Sequence, residues 1–233
     1  MIEILDKYGL MLLVGQFPEG PLGGLAMTLV LAVTGLVAAF PLAVLMGVAR
    51  TSPIRAIRAP ASLLVHAVRG LPVLMLIFWA YFIVPLIVGR SVSGVTTVIC
   101  ALIVYELAFL GEVVRAGIEA IPKGQVEAAR SLGMTYGQTM RKIVLPQALT
   151  QMTPSILSQF INLIKNTSLG YIISVNELTY AAYQVNAQLL TRPFEVYLIL
   201  ALTYFTLCWL LGLGVNKLEK SINQRRLAVP RSA

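Results

Sequence analysis

The sequence predicts an all-α integral membrane protein of about five transmembrane helices, N-terminus outside and C-terminus cytoplasmic, with a polar two-helix loop on the cytoplasmic side. Three observations carry that fold class. Of 233 residues, 58% are hydrophobic and 12% charged, at a mean hydropathy of +0.82; soluble domains are ~45–50% apolar and ~25% charged. Apolar runs long enough to cross a bilayer, which takes ~20 residues, recur along the chain. The cations between those runs fall mostly on one side.

Residues 1–21 read as a short interfacial segment outside the membrane. Ile2, Leu5 and Tyr8 or Gly9 recur at helical spacing, and "PEGP" ends the segment. Its start, "MIEILDKYGL", is acidic and does not look like a cleaved signal peptide. Residues 22–216 form the membrane domain. Leu22–Ala49 is an uncharged first span. Leu71–Gly89 is the second, with a possible earlier start in "APASLLVHAV". Ser91–Val114 is the third and contains Glu106 and Glu112. Met152–Asn176 is the fourth and contains Lys165, and Val196–Asn216 is an uncharged fifth. Each can close its backbone hydrogen bonds as a helix, as the bilayer core requires. Pro41 and Pro85 are expected to kink their spans.

Orientation follows from the cations. Arg50, Arg55 and Arg58 follow span one; Arg115, Lys123, Arg130, Arg141 and Lys142 follow span three; the basic tail, 217–233, holds five more. The alternate side holds only Lys7, Arg90 and Arg192. Cytoplasmic loops collect Lys and Arg, so the tail is placed inside. That habit also accounts for the net charge of +8 without nucleic acid, since no basic patch with interleaved aromatics is present. Cys100 and Cys208 both lie in apolar runs, with no metal-like spacing and no disulfide framework.

The loop at about 117–150 is polar and punctuated. Pro122 suits a helix's first turn. Val126, Ala129 and Leu132 then fall at threefold spacing, and Gly133 is a natural stop. Thr135-Tyr-Gly-Gln138 has the pattern of a capping box. A second helix follows, with Met140, Ile143 and Val144 as its stripe, and Leu145-Pro146 is expected to bend the chain back to the membrane. Two helices this short are not stable alone in water. Their stripes are covered either by lipid or this chain's own helix ends, or by a groove on a cytoplasmic partner.

The motif "EAARSLGMTYGQTMRKIVLPQ" resembles the loop of ABC importer permease subunits, whose pattern is Glu-Ala-Ala, three residues, Gly, nine residues, Ile-x-Leu-Pro. Here Glu127, Ala128 and Ala129 are followed by Gly133, then Ile143, Leu145 and Pro146, all at the family spacing. "EVVRAGIEAIPKGQ", "KNTSLGYIISVNEL" and "GLAMTLVLAVTGLVAAFPLAVLMGVARTS" are similar to the polar amino acid subfamily, and the resemblance covers nearly the whole chain. It implies that this is the coupling loop, whose seven anchor residues dock on an ATP-binding cassette ATPase dimer. It also implies a second permease, identical or homologous, a soluble amino-acid-binding protein outside, and a bacterial inner membrane. The resemblance leans towards glutamate and aspartate as substrates, with basic and amide amino acids (arginine, histidine, glutamine) as the alternative.

No Gly is directly followed by Lys, so the chain carries no phosphate-binding Gly-x-x-x-x-Gly-Lys-Ser/Thr loop. ATP and its Mg²⁺ are therefore expected on the partner, with no cofactor, catalytic residue or metal site in this chain. An intramembrane enzyme would need a nucleophile with a base, or a metal site; one His, no Gly-x-Ser-x-Gly and no His-Glu-x-x-His argue against it. An ion channel would have no use for an ATPase dock.

Polar residues inside spans are costly and default to functional candidates. Ser155, Gln159, Asn162 and Asn166 are separated by 4, 3 and 4 residues and so form one narrow helical stripe, flanked by Ser158 and Lys165. The stripe runs into Thr167 and Ser168 and reads as a substrate path or as interhelical hydrogen bonding. Glu106 is a candidate partner for a substrate ammonium, with Lys165 or Arg69 for the carboxylate; the structural alternative pairs Glu106 with one of those cations. Arg69 also suits the membrane interface, and Glu112 with Arg115 suits a local ion pair.

Overall fold

The computed structural model describes residues 1–227. The last six residues of the expected basic tail lie outside the described residues. Among the described residues, secondary structure is helical apart from one isolated bridge between Gly15 and Leu22.

Helix α1, Ile2–Val14, forms where the interfacial segment was expected. Its buried face differs from the expected one. Ile2 is 85% and Leu5 48% exposed, whereas Ile4 and Leu12 are buried, with Tyr8 and Met11 packed beside them. The face i, i+4, i+7, i+8 lies on helix α9, Leu178–Leu189, through Leu178, Ala181, Ala182 and Val185.

Three helices are long and apolar enough to cross a membrane: α2, Gly24–Arg50; α5, Gly94–Glu119; and α10, Pro193–Leu227, over its Pro193–Ile222 stretch. Helices α3, Arg55–Arg69, and α4, Val73–Val88, would together make a fourth, but they meet at a 99° bend. The second expected span therefore does not extend back into "APASLLVHAV". Pro72 has no N–H to donate and disfavours helical geometry at Leu71, so the chain turns there. Helix α8 is Leu145–Thr167, followed by a 3₁₀ turn at Ser168–Ile173. It has the length of a span but is too polar to count with the other three. Pro41 and Pro85 lie inside α2 and α4.

The chain divides into two compact units, and α2, α5, α8 and α10 each contribute to both. The first holds residues 1–38, 71–105 and 160–211. Its core gathers Leu31, Ile77, Val98, Leu102, Leu163 and Ile164. The second holds 39–70, 106–159 and, among the described residues, 212–227. Its core gathers Val114, Ile118, Ile121, Met140, Val144 and Met152. In this second unit α2 and α5 approach closely at small residues. A Cβ on Gly47 would lie 2.4 Å from Val114 Cγ1, and one on Gly111 would lie 3.2 Å from Met46 Cγ. Small residues permit such backbone approach where apolar burial alone gives helices in lipid no reason to associate.

Candidate functional site: a capped corner and the buried carboxylates

The punctuated loop forms the short helices α6, Lys123–Ser131, and α7, Tyr136–Thr139. Pro122 is the residue before α6 rather than part of its first turn, in extended geometry. At the other end the Gly133 N–H donates to Arg130 O at 2.9 Å and the Met134 N–H to Ala129 O at 3.1 Å. This pair of bonds is the Schellman closure, and it satisfies two otherwise orphaned carbonyls. It needs a left-handed residue at Gly133, where φ is +79°. The capping box follows: Thr135 N–H donates to Gln138 Oε1 at 2.9 Å, and Gln138 N–H to Thr135 Oγ1 at 3.4 Å.

Pro146 does not bend the chain away. Residues Met140–Val144 form a π turn that runs directly into α8, with the Leu145 N–H donating to Met140 O. The wider turn accommodates a proline that lacks an N–H and crowds the preceding turn. Much of the expected apolar stripe is covered by this chain itself. Met140 and Val144 are buried in the second unit's core, with Val126, Tyr136 and Leu145 partly buried against it; Ala129 is buried as well. Gln147 Nε2 donates to Gln125 Oε1 at 2.7 Å, tying α6 to α8.

Leu132 departs from the expected stripe. It is the residue at which α6 unwinds, and it is 83% exposed. Glu127, Ala128, Gly133 and Pro146 are also exposed, while Ile143 is half-buried. An exposed leucine beside Gly133, on a corner braced at both ends, is chemically suited to burial by another macromolecule.

The expected substrate-path residues divide between the two units. In the second, Glu106 is fully buried and its Oε1 accepts from Gln159 Nε2 at 3.2 Å, while its Oε2 has no hydrogen-bond partner. Arg69 does not pair with Glu106. Its Nη1 lies 3.3 Å from Glu112 Oε2, and its guanidinium lies over the Phe109 ring at 5.4 Å. In the first unit, Asn162 and Lys165 are exposed and Asn166 is half-buried. Thr167 is buried and donates to Ile164 O at 2.7 Å; Ser168 donates to Lys165 O at 2.6 Å. Those two hydroxyls are thus used on their own helix backbone.

Two constellations were not foreseen from sequence. Glu112 is more than half of a local pair with Arg115: it also pairs with Arg50, which is nearly fully buried, and with Arg69. Arg115 in turn pairs with Glu119. One carboxylate therefore faces three guanidinium groups. The second is Glu177, also fully buried, which caps α9 by accepting the N–H groups of Thr179 at 2.8 Å and Tyr180 at 2.9 Å. Tyr204 Oη donates to the same carboxylate at 3.1 Å. Burial pushes the Glu177 carboxyl up to about 7, against the pull of those donors. An acidic residue directly before an apolar helical run is the signal that would have found this cap. Among the described residues no three His, Cys, Asp or Glu side chains converge on a metal-sized site.

Comparison with known proteins bears on what such a corner does. Residues 39–224 match the family described as the binding-protein-dependent transport system inner membrane component. The chain is 38% identical over 198 residues to a probable glutamine ABC transporter permease protein of Bacillus subtilis (strain 168), covering 84% of this chain and 90% of the relative. It is 33% identical over 206 residues to a glutamate/aspartate import permease protein of Escherichia coli O157:H7, covering 85% and 92%. A crystal structure of an amino acid ABC transporter with histidines matches with a TM-score of 0.77 at 30% identity, over 85% of this chain and 92% of that chain.

Proposed function

The chain belongs to the inner membrane components of binding-protein-dependent transport systems, and from that premise we propose that it is the permease subunit of an ATP-driven importer of polar amino acids. Its corner, α6–α7, is the coupling element for an ATP-binding cassette ATPase dimer. The observation that carries this reading is the exposed Leu132–Gly133 tip, which follows Glu127-Ala128-Ala129 at the family spacing and is braced by the Schellman closure and the capping box. A rigid tip transmits a displacement; a frayed one dissipates it. Ala129 of α6 is buried, while Glu127, Ala128 and Leu132 are exposed. Ile143 lies in the π turn that joins the corner to α8, and Leu145 and Pro146 are the first residues of α8.

The membrane topology in this reading has five spans, with α4 and α8 crossing beside the three apolar helices. The N-terminus lies outside and the basic tail inside, in a bacterial inner membrane. The chain has no chemistry of its own, and ATP with Mg²⁺ is bound by the partner. A second permease completes the pathway, and a soluble binding protein delivers the amino acid. Along the pathway, Glu106 offers its unpartnered Oε2 to the substrate ammonium, with Gln159 orienting the carboxylate. Asn162, Lys165 and Asn166 extend the polar stripe, and Arg69 stands near the cytoplasmic end.

Glutamate and aspartate are the substrates first read from the sequence. Glutamine is the second reading, favoured by the higher identity to the glutamine permease relative. Uptake by proteoliposomes carrying the chain, its ATPase and its binding protein tests both. Saturable, ATP-dependent uptake of one polar amino acid supports the proposal, and uptake without ATP overturns it. In the same assay Glu106→Gln is expected to weaken apparent affinity about tenfold or more, since it removes a charge-assisted contact. Unchanged affinity would exclude Glu106 as the ammonium partner.

A further inference from the structure

A cavity of about 610 Å³ lies within the second unit, between the end of α2, α3, the end of α5 and the corner helices. Its lining is of two kinds. Ile118, Ile121, Val126, Met140 and Val144 are apolar. Arg58, Lys123 and Arg130 are exposed cations, joined by the exposed carboxylate of Glu127. On α6 the lining positions 123, 126, 127 and 130 fall at i, i+3, i+4 and i+7, so one whole helix face is turned to the cavity.

The charges that line it are unevenly matched. Arg50 and Glu119 also line the cavity, but each already has an ion-pair partner, Glu112 and Arg115 respectively. Among the described residues Arg58, Lys123 and Arg130 form no ion pair, and Arg58 Nη1 donates to the Ser52 carbonyl at 3.4 Å. Three unpaired cations against one carboxylate leave a site that favours an anion.

Depth decides which anion. Arg50 is the last residue of the apolar helix α2, and Glu119 the last of the apolar helix α5. The cavity therefore lies where two helices long and apolar enough to cross a membrane both end, and spanning helices of that length end at the level of lipid headgroups. Basic pockets at the ends of membrane helices are suited to anionic headgroups, and apolar walls suit the start of an acyl chain. We propose that this cavity is a binding site for the phosphate headgroup of an anionic phospholipid, wedged between the membrane helices and the corner. The proposal needs only that α2 and α5 cross the membrane, and it is independent of the amino acid transported.

The test is titration of the purified, delipidated chain with phosphatidylglycerol, read by native mass spectrometry, with phosphatidylcholine and inorganic phosphate as comparisons. Each cation near a membrane surface is worth roughly a fivefold change in affinity. Arg58→Gln alone is expected to weaken phosphatidylglycerol retention about fivefold, and the triple change Arg58→Gln, Lys123→Gln, Arg130→Gln roughly a hundredfold. The charge-keeping triple Arg58→Lys, Lys123→Arg, Arg130→Lys should retain most binding, and Lys217→Gln with Lys220→Gln, away from the cavity, should leave it unchanged. Retention by the neutralised chain equal to wild type would overturn the proposal, as would equal retention of phosphatidylcholine by the wild type. Displacement of the lipid by millimolar inorganic phosphate would assign the site to a soluble anion and overturn the lipid assignment.

Discussion

Gly133 allows the backbone and docking roles of the corner to be separated. Its φ of +79° disfavours any residue with a Cβ, yet a Cβ built there meets nothing within 4 Å. The whole penalty of substitution is therefore conformational, ~1–2 kcal/mol for Ala and less for Asn or Asp, which tolerate the left-handed region. Against a typical stability of ~5–15 kcal/mol that is minor, and it lowers Tm by roughly 2–8 °C in a chain of this size. Asn and Asp have nearly the same shape and the same backbone tolerance. They differ in charge, and a carboxylate buried unpaired at a protein contact costs about 1–3 kcal/mol or more. Gly133→Asn is thus expected to keep ATPase association and uptake near wild type. Gly133→Asp should insert normally, melt within a few degrees of Gly133→Asn, weaken ATPase association about tenfold or more and lose uptake. The assay is co-purification affinity beside thermal melting of the isolated chain. Normal ATP-coupled transport by Gly133→Asp would refute the docking role, and a collapse of Tm in both variants would refute the conformational argument.

Two further outcomes follow from Glu112 and Glu177. Glu112→Gln leaves the nearly fully buried Arg50 guanidinium, with 5% side-chain exposure, without its counter-charge; loss of one partner of a buried pair costs ~3–5 kcal/mol. A Tm drop of about 6–20 °C is expected, and a drop under 2 °C would show that Arg50 finds another partner. Burial pushes the Glu177 carboxyl from its ordinary 4.5 up to about 7, so the folded chain binds its proton more tightly than the unfolded one. Its stabilising contribution is full below about pH 4.5 and is lost as pH rises through about 7. Tm should fall across that window in the wild type and less in Glu177→Gln, and parallel profiles would exclude Glu177 as the titrating group.

The parts of the fold legible in the sequence were those set by local chemistry. Gly133 and the Thr135–Gln138 box occupy the turn and cap that their side chains demand. Of the two uncharged runs, Val196–Asn216 lies inside α10 and Leu22–Ala49 lies inside α2 from Gly24 onward. Periodicity failed where a helix ends. Leu132 continues the threefold spacing of Val126 and Ala129, but the Schellman closure unwinds α6 there and turns Leu132 outward. It failed again at Pro146, because a π turn can absorb a proline that the simple rule reads as a break. In α1 the apolar residues offered several stripes, and only the packing against α9 selects Ile4 and Leu12. Pairings across 53 or 62 residues, Gln159 with Glu106 and Arg50 with Glu112, leave no periodic trace. Sequence marks these groups as too costly to stand alone in a membrane without saying which partner each takes.

Leu132 gives the most direct measurement. It is 83% exposed and touches little of its own chain, so Leu132→Asp should leave the melting temperature of the isolated permease unchanged. If the corner is buried by the ATPase, loss of a leucine contact is worth ~1.5–3 kcal/mol, a tenfold to hundredfold weakening of ATPase affinity. Loss of affinity on that scale with unchanged Tm is the expected result. Unchanged ATPase affinity in Leu132→Asp would contradict the assignment of the α6–α7 corner as the coupling element.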